Sequence, residues 1–311
     1  MPVCETWEDL LFVHINALVE GHYSAKLANL SRIPAVVSKF PSFDAVAYHS
    51  RQTDDSDDSV IPRIVDEIAS NDRVPDSKLP LRTVQGSLIS LRFHDLVKEL
   101  DRQLRLFETV PDYDPDMDEQ SSGLDATEPR LLRVIVHVLM ILQALNAGFL
   151  PGSPYHSAAE NVIAGYISTL GEFDTFELVP LYASCLSQGM VIKVVGKSLA
   201  AFQGDELKRE ELIRSMRLYG IDVDSCLKQA MKQSLMMTEP QYATSMIGGK
   251  GFVFKGLKGD LHPEDRQLIR GLEWLMLGSD SLRGELVRRG CEVYKRFLRR
   301  GPLALGIHTT L

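Results

Sequence analysis

The stretch Thr6-Trp-Glu-Asp-Leu-Leu-Phe-Val-His-Ile-Asn-Ala-Leu18 gives the sharpest signal of the fold. Thr6 is a good N-cap, and Asp9 stands three residues later, where a carboxylate can return a hydrogen bond to the cap and favour the positive end of a helix. The apolar residues behind the cap recur at the three-and-four spacing of an amphipathic helix: Trp7, Leu10, Leu11, Ile15 and Leu18. The stretch therefore predicts a helix that begins after Thr6 and ends near Gly21.

The same spacing returns along the rest of the chain, and the connections after residue 128 are mostly short. The pattern predicts helices at 62–69, 87–108, 128–147, 157–169, 173–188, 190–203, 206–219, 223–236, 263–277 and 281–300. Short connections make consecutive helices antiparallel neighbours. No repeat of fixed length is present, which disfavours a regular repeat array. The sequence predicts an all-α fold, an irregular helical solenoid of stacked antiparallel helix pairs.

Two acidic stretches divide the chain. Residues 50–59 contain no apolar side chain, which indicates a solvated loop. Residues 111–123 are acidic and interrupted by Pro111 and Pro115, a composition typical of disorder. We therefore expect N-terminal helices at 1–110 with the acidic loop 50–59, an acidic disordered linker at 111–127, and a C-terminal helical stack at 128–311.

Composition and charge exclude several classes of function. The chain has 44% hydrophobic and 24% charged residues, the balance of a soluble globular protein. Its formal charge of -8 repels phosphate, so we expect no direct binding of nucleic acid. The four cysteines are far apart and form no Cys-x-x-Cys pair, which predicts buried thiols in a reducing compartment. The first residues lack the basic and apolar segments of a signal peptide.

One apolar run is long enough to raise the question of a membrane span. Residues from Val134 to Leu150 carry no formal charge, but they include His137, Gln143 and Asn146. The run is also shorter than the ~20 apolar residues that a span requires. We expect a helix that is buried on most sides and no membrane span.

Two motifs resemble parts of enzyme sites. Asp54, Asp55 and Asp58 match the Asp-Asp-x-x-Asp pattern with which prenyl-transfer enzymes hold magnesium and a diphosphate, but no apolar stripe runs through this loop. The glycines from Gly248 to Gly256 lack the order and the Ser or Thr of a phosphate-binding loop. The eight histidines form no metal-binding pair, and no serine lies in a Gly-x-Ser-x-Gly elbow. We predict no catalytic residue, no cofactor and no metal.

The last two predicted helices have the character of a binding surface. Their apolar residues are interleaved with arginines and lysines, which gives this end of an acidic protein the opposite charge. The cations also suit the negative end of a terminal helix, but arginine mixed with aromatic residues is typical of interface hot spots. We predict that a partner is bound by Trp274, Leu275, Tyr294, Arg296, Phe297 and Leu298.

Four stretches of the chain, in order, resemble one family. Cys4-Glu5-Thr6-Trp7-Glu8-Asp9 is similar to the Cys-x-Thr-Trp-Glu-Asp signature of the nucleoporin 84/107 family. Further similar stretches follow at Leu131-Leu-Arg-Val-Ile-Val-His137, at Glu177-Leu-Val-Pro-Leu-Tyr-Ala-Ser-Cys-Leu186, and at Leu272-Glu-Trp-Leu275 with Tyr294-Lys-Arg-Phe-Leu298. The resemblance spans most of the chain.

This resemblance implies a non-enzymatic α-helical scaffold protein of the Y-shaped subcomplex of the nuclear pore, at the nuclear envelope. The signature lies mid-chain in the family, so the resemblance implies the middle and C-terminal part. It also implies other scaffold nucleoporins as partners: nucleoporin 133 at the C-terminal side, and nucleoporin 145C/96 through N-terminal helices that precede this part. Support of nucleocytoplasmic transport and mRNA export would follow.

Two alternatives remain open at this stage. The first is a helical coat or tethering adaptor of vesicle traffic, which shares the architecture. The second is a magnesium-dependent prenyl-transfer enzyme that uses Asp54, Asp55 and Asp58.

Overall fold

The computed structural model describes residues 4–30, 59–71, 74–109, 124–244 and 263–300. In these ranges the chain is helical and contains no strand, so the predicted all-α helical stack is confirmed. The α-helices of the described residues are α1 Trp7–Leu30, α2 Val60–Ala69, α3 Pro80–Ile89, α4 Phe93–Thr109, α5 Pro129–Ala144, α6 His156–Glu172, α7 Val179–Ala183, α8 Gln188–Ala201, α9 Glu206–Leu218, α10 Val223–Thr244, α11 Pro263–Met276 and α12 Arg283–Arg300. Short 3-10 turns occupy Pro75–Lys78, Phe176–Leu178 and Asp280–Leu282.

The start of α1 has the predicted cap. The Asp9 backbone N–H donates to Thr6 Oγ1 at 3.2 Å, and the Thr6 N–H donates back to Asp9 Oδ2 at 3.0 Å. These hydrogen bonds with Thr6, followed by the one from the Glu5 backbone, lower the pKa of the Asp9 carboxyl. The predicted end at Gly21 is wrong, because α1 continues to Leu30.

Two compact units make up the chain, and the first contains residues 1–135 and 148–159. In this unit α1 packs on α2, α2 on α3, and α3 on α4. Trp7 is 4% exposed and lies in a core with Ile64, Ile68 and Val74. The guanidinium of Arg82 stands 5.2 Å from the centre of the Trp7 ring and also pairs with Glu8. The signature residues therefore cap a helix and anchor it to its neighbours.

The predicted helix 87–108 is two helices in the structure. The helix is interrupted at Leu91, because the left-handed φ of 57° at this residue is incompatible with a continuous α-helix. Pro80 stands at the first position of α3, where its missing N–H costs no bond. Residues 111–123 of the predicted linker 111–127 lie outside the described residues. Its last residues are packed, since Leu124 and Ala126 are buried and the Ala126 N–H donates to Gln103 Oε1.

The second unit contains residues 136–147 and 160–311. Helix α10 is central to it, because α8, α9, α11 and α12 all pack on α10. Tyr242 bonds to Asp265 near one end of α10 and Asp224 bonds to Ser279 near the other, so α10 and α11 are antiparallel. The approach is close: a Cβ added to Gly271 would lie 2.8 Å from the sulfur of Met231.

The predicted helix 173–188 is wrong. Asp174 has a φ of 54°, which ends α6, and the chain then makes a 3-10 turn before the short α7. Pro180 stands in the first turn of α7, a position that favours a new helix over a continued one. This interruption places Phe176 and Glu177 in a turn beside α9.

Candidate partner-binding surface

The structure places Trp274 and Leu275 in the interior of the second unit. Their exposed fractions are 1% and 2%. The indole N–H of Trp274 donates to the carbonyl oxygen of Leu199 at 3.0 Å, and the Phe202 ring lies 5.7 Å from the indole, centre to centre. Both side chains are therefore buried in the core of the second unit, and their contact with a partner stays a prediction.

Arg296 joins α12 to α10, and Phe297 lies on the buried face of α12. Phe297 is 9% exposed. The guanidinium of Arg296 is half-buried, donates to the Leu235 carbonyl oxygen at 2.9 Å, and lies 5.9 Å from the centre of the Tyr242 ring. Both side chains are committed to contacts inside the unit, so they support the helix that carries the predicted surface.

Tyr294 is the predicted residue that solvent reaches most easily, with an exposed fraction of 54%. Leu298 belongs to α12, but its side chain lies outside the described residues. The structure thus brings the predicted residues to one pair of helices and separates Tyr294 from the buried members.

An exposed apolar row on α12 includes Tyr294 and two residues that the sequence interpretation missed. Val287 is 67% exposed and Cys291 is also exposed. Val287, Cys291 and Tyr294 are separated by four and three residues, so they lie on one face of the helix. Val293 and Phe297 repeat the same spacing on the buried face. Two such rows in one helix were the signal, since a helix needs only one of them to pack against its own unit.

Two arginines in the first half of α12 are paired within the helix. Arg288 and Arg289 both bond to Glu285, and Arg289 also bonds to Glu292 at 2.7 Å. The bond from Arg288 lowers the pKa of the Glu285 carboxyl, burial opposes it, and Arg289 adds to the lowering. Lys295 is exposed. The charges of Arg288 and Arg289 are therefore partly neutralised by these carboxylates.

Two other motifs singled out in the sequence lie outside the part of the chain that the structure describes. Asp54, Asp55 and Asp58 lie outside the described residues, as does the glycine-rich stretch from Gly248 to Gly256. Among the helices that the structure describes, none has the length and the apolar character needed to cross a bilayer.

Comparison with known proteins identifies the family. The model of the family "Nuclear pore protein 84 / 107" matches residues 1–306. The chain is similar to Nucleoporin NUP84 of Chaetomium thermophilum, with 29% identity over 97% of this chain and 35% of that protein. It is also similar to Nucleoporin nup107 of Schizosaccharomyces pombe, with 23% identity over 97% of this chain and 34% of that protein. The chain thus spans about a third of the length of these relatives. The chain belongs to the nuclear pore protein 84/107 family, whose members are structural components of the nuclear pore complex.

Proposed function

We propose that the chain is a non-enzymatic scaffold segment that joins neighbouring nucleoporins, with nucleoporin 133 bound at its C-terminal side. By holding the coat together it would support nucleocytoplasmic transport and mRNA export. Family membership supports the scaffold role, and it favours the nuclear pore over a vesicle coat.

The observation that best supports a partner contact is the exposed apolar row of α12. Val287 and Tyr294 are seven positions apart, so the row extends for about 10 Å along the helix. An apolar row with an aromatic anchor suits the groove of another helical protein, where burial of Tyr and Val provides the binding free energy. On the opposite face of the same helix, Val293 and Phe297 are buried in the second unit.

Two arginines near the row are paired with a carboxylate of the same helix. Glu285 bonds to Arg288 at 2.7 Å in one of its contacts and to Arg289 at 2.8 Å. Because Arg288 and Arg289 are already paired, we expect the burial of Val287 and Tyr294 to contribute more to the contact than these two cations do.

Co-purification tests the proposal. The chain is co-expressed with nucleoporin 133 and, in parallel, with a subunit of a vesicle coat. We expect nucleoporin 133 to elute with the chain in size-exclusion chromatography and the coat subunit to elute separately. Separate elution of nucleoporin 133, with the chain folded by circular dichroism, would overturn the proposal.

A further inference from the structure

A cleft opens in the second unit, between the turn that follows α6 and the exposed side of α9. It measures about 290 Å³. Its walls come from two separate stretches of the chain and from the end of α8. The residues that line it are Asp174, Phe176, Glu177, Phe202, Lys208, Glu211, Leu212 and Ser215.

The floor of the cleft is apolar and rigid. Phe176 and Phe202 are 7% and 5% exposed, and their rings meet edge to face with centres 4.8 Å apart. Leu212 adds an aliphatic side chain that is equally buried. Phe202 is in turn packed against Trp274, so the floor is continuous with the core of the unit.

The walls are fixed by hydrogen bonds. In the turn, the Thr175 hydroxyl and the Thr175 N–H both donate to the Leu170 carbonyl oxygen at 3.0 Å. On the other side, Asp205 caps α9 by accepting from the Lys208 N–H at 3.0 Å. The cleft is thus formed before any ligand arrives, which lowers the entropic cost of binding.

The rim of the cleft is acidic. The carboxylates of Asp174, Glu177 and Glu211 are exposed, and within the described part of the chain none of them has a hydrogen-bond or ion-pair partner. Lys208 contributes the one positive charge among the lining residues. Next to Asp174, the ring of Phe173 is 62% exposed.

The cavity of the first unit differs from this cleft in the pairing of its charged residues. It measures about 320 Å³ and lies beside Trp7. Its two arginines are already paired, Arg82 with Glu8 and Arg92 with Asp66. The first-unit cavity therefore has its charges satisfied, whereas the carboxylates of the second-unit cleft remain available to a cation.

The volume of the cleft and the spacing of its carboxylates indicate which kind of cation can bind there. The volume lies at the lower edge of the range for small-molecule pockets, which begins at about 300 Å³, so the cleft holds one or two side chains. Among the described residues no group of three His, Cys, Asp or Glu is close enough to hold a metal ion. The fitting cation is an organic one with an apolar stem.

We propose that this acidic cleft binds an arginine from a basic, apolar segment of a protein partner. The aliphatic stem of the arginine packs on Phe176, Phe202 and Leu212, and its guanidinium bonds to the carboxylates of the rim. A neighbouring apolar residue of the segment covers Phe173. This site is separate from the apolar row of α12, and it does not depend on which partner that row binds.

The test uses the full chain and a short fluorescein-labelled peptide with one central arginine between leucines, in a background of glycine and serine. The matched peptide carries citrulline, which has the shape of arginine without its charge. We expect a saturable rise in fluorescence anisotropy with the arginine peptide. The citrulline peptide should bind at least about fivefold more weakly, since exposed charge pairs contribute modestly each.

Two pairs of substitutions locate the binding. Glu177→Gln with Glu211→Gln should weaken the arginine peptide by about fivefold. Glu206→Gln with Glu210→Gln changes the charge equally at two exposed residues that do not line the cleft, and it should leave binding within about twofold. Absence of saturable binding, equal binding of the citrulline peptide, or equal weakening by both pairs would overturn the proposal.

Discussion

The indole N–H of Trp274 donates a 3.0 Å hydrogen bond to the backbone carbonyl of Leu199, the residue two positions before the end of α8. The bond joins α11 to α8 in a region where Trp274 is almost fully buried. Arg209 lies 6.0 Å from the centre of the Trp274 ring and pairs with Glu273. The tryptophan therefore links α11 to α8, and its aromatic ring packs inside the unit.

Substitution of Trp274 should destabilise the protein. We predict that Trp274→Ala lowers the free energy of unfolding by about 3–5 kcal/mol, because it removes a large buried side chain and leaves the Leu199 carbonyl with only the 3.3 Å hydrogen bond from the Phe202 N–H. Met276→Ala, in the same helix and at a residue 68% exposed, should change it by less than ~0.5 kcal/mol. Urea denaturation measures both, and equal effects of the two substitutions would contradict the assignment of Trp274 to the core.

Helices α8 and α10 approach each other at Gly196. A Cβ added there would lie 2.7 Å from the Cβ of Gln229, a distance that real structures do not show. We predict that Gly196→Ala lowers the free energy of unfolding by about 1–3 kcal/mol. Gly189→Ala in the same helix meets no atom within 4 Å and should be neutral or stabilise by ~0.5 kcal/mol. Thermal unfolding distinguishes them, and a stabilising Gly196→Ala would show that the helices are further apart.

The contact between Asp224 and the turn before α12 should make stability depend on pH. Burial alone raises the pKa of the Asp224 carboxyl, but hydrogen bonds from Ser279 and Ser281 outweigh it and hold this pKa below the ordinary 3.8. A carboxyl with a lowered pKa in the folded state stabilises that state above its unfolded pKa. The stabilisation is lost as the pH falls through the folded pKa.

Asp224→Asn should therefore cost about 1 kcal/mol at neutral pH and remove part of the acid sensitivity. Denaturant titrations at several pH values, from neutral to below 3.8, measure the difference between the parent and the variant. We expect the difference to shrink as the pH falls. A difference that stays constant at every pH would mean that the charge of Asp224 has no role in this contact.

The cysteines should react in the order of their exposure. Cys226 is fully buried, and burial, followed by the charge of Asp222, raises its pKa to about 12. Cys291 is exposed on α12, so the expectation that all thiols are buried is wrong for this residue. We predict that iodoacetamide modifies Cys291 in the folded protein and Cys226 only in denaturant, as peptide mass spectrometry can show. Modification of both at one rate would contradict the packing of α10.

Local rules of helix capping and spacing predicted most of the fold. The cap from Thr6 to Asp9 and the core residue Trp7 follow from positions a few residues apart. The break at Leu91 could not be predicted in this way, because leucine does not favour the left-handed backbone that it adopts. Aspartate adopts this backbone more readily, so Asp174 and the later Pro180 gave some local signal of the second break, but the spacing of the apolar residues marks neither break.

The candidate surface was predicted at the level of helices but not of faces. Aromatic and basic residues pointed to α11 and α12, yet a composition of this kind does not separate the interior from the exterior. Trp274 and Phe297 are buried, and the indole N–H of Trp274 finds a carbonyl group on α8. Val287 stays outside, because the face it belongs to meets no helix of the described unit. That distinction requires the tertiary structure.

The dissociation constant of the chain for nucleoporin 133, measured by calorimetry, tests the role of the α12 row most directly. Val287→Glu places a charge in the row and should weaken binding by about 2 kcal/mol, or thirtyfold. Leu218→Glu makes the same kind of change on α9, at a residue 81% exposed, and should leave the constant within about twofold. Equal constants for the parent and the Val287→Glu variant, with both folded, would contradict the assignment of this row to the partner.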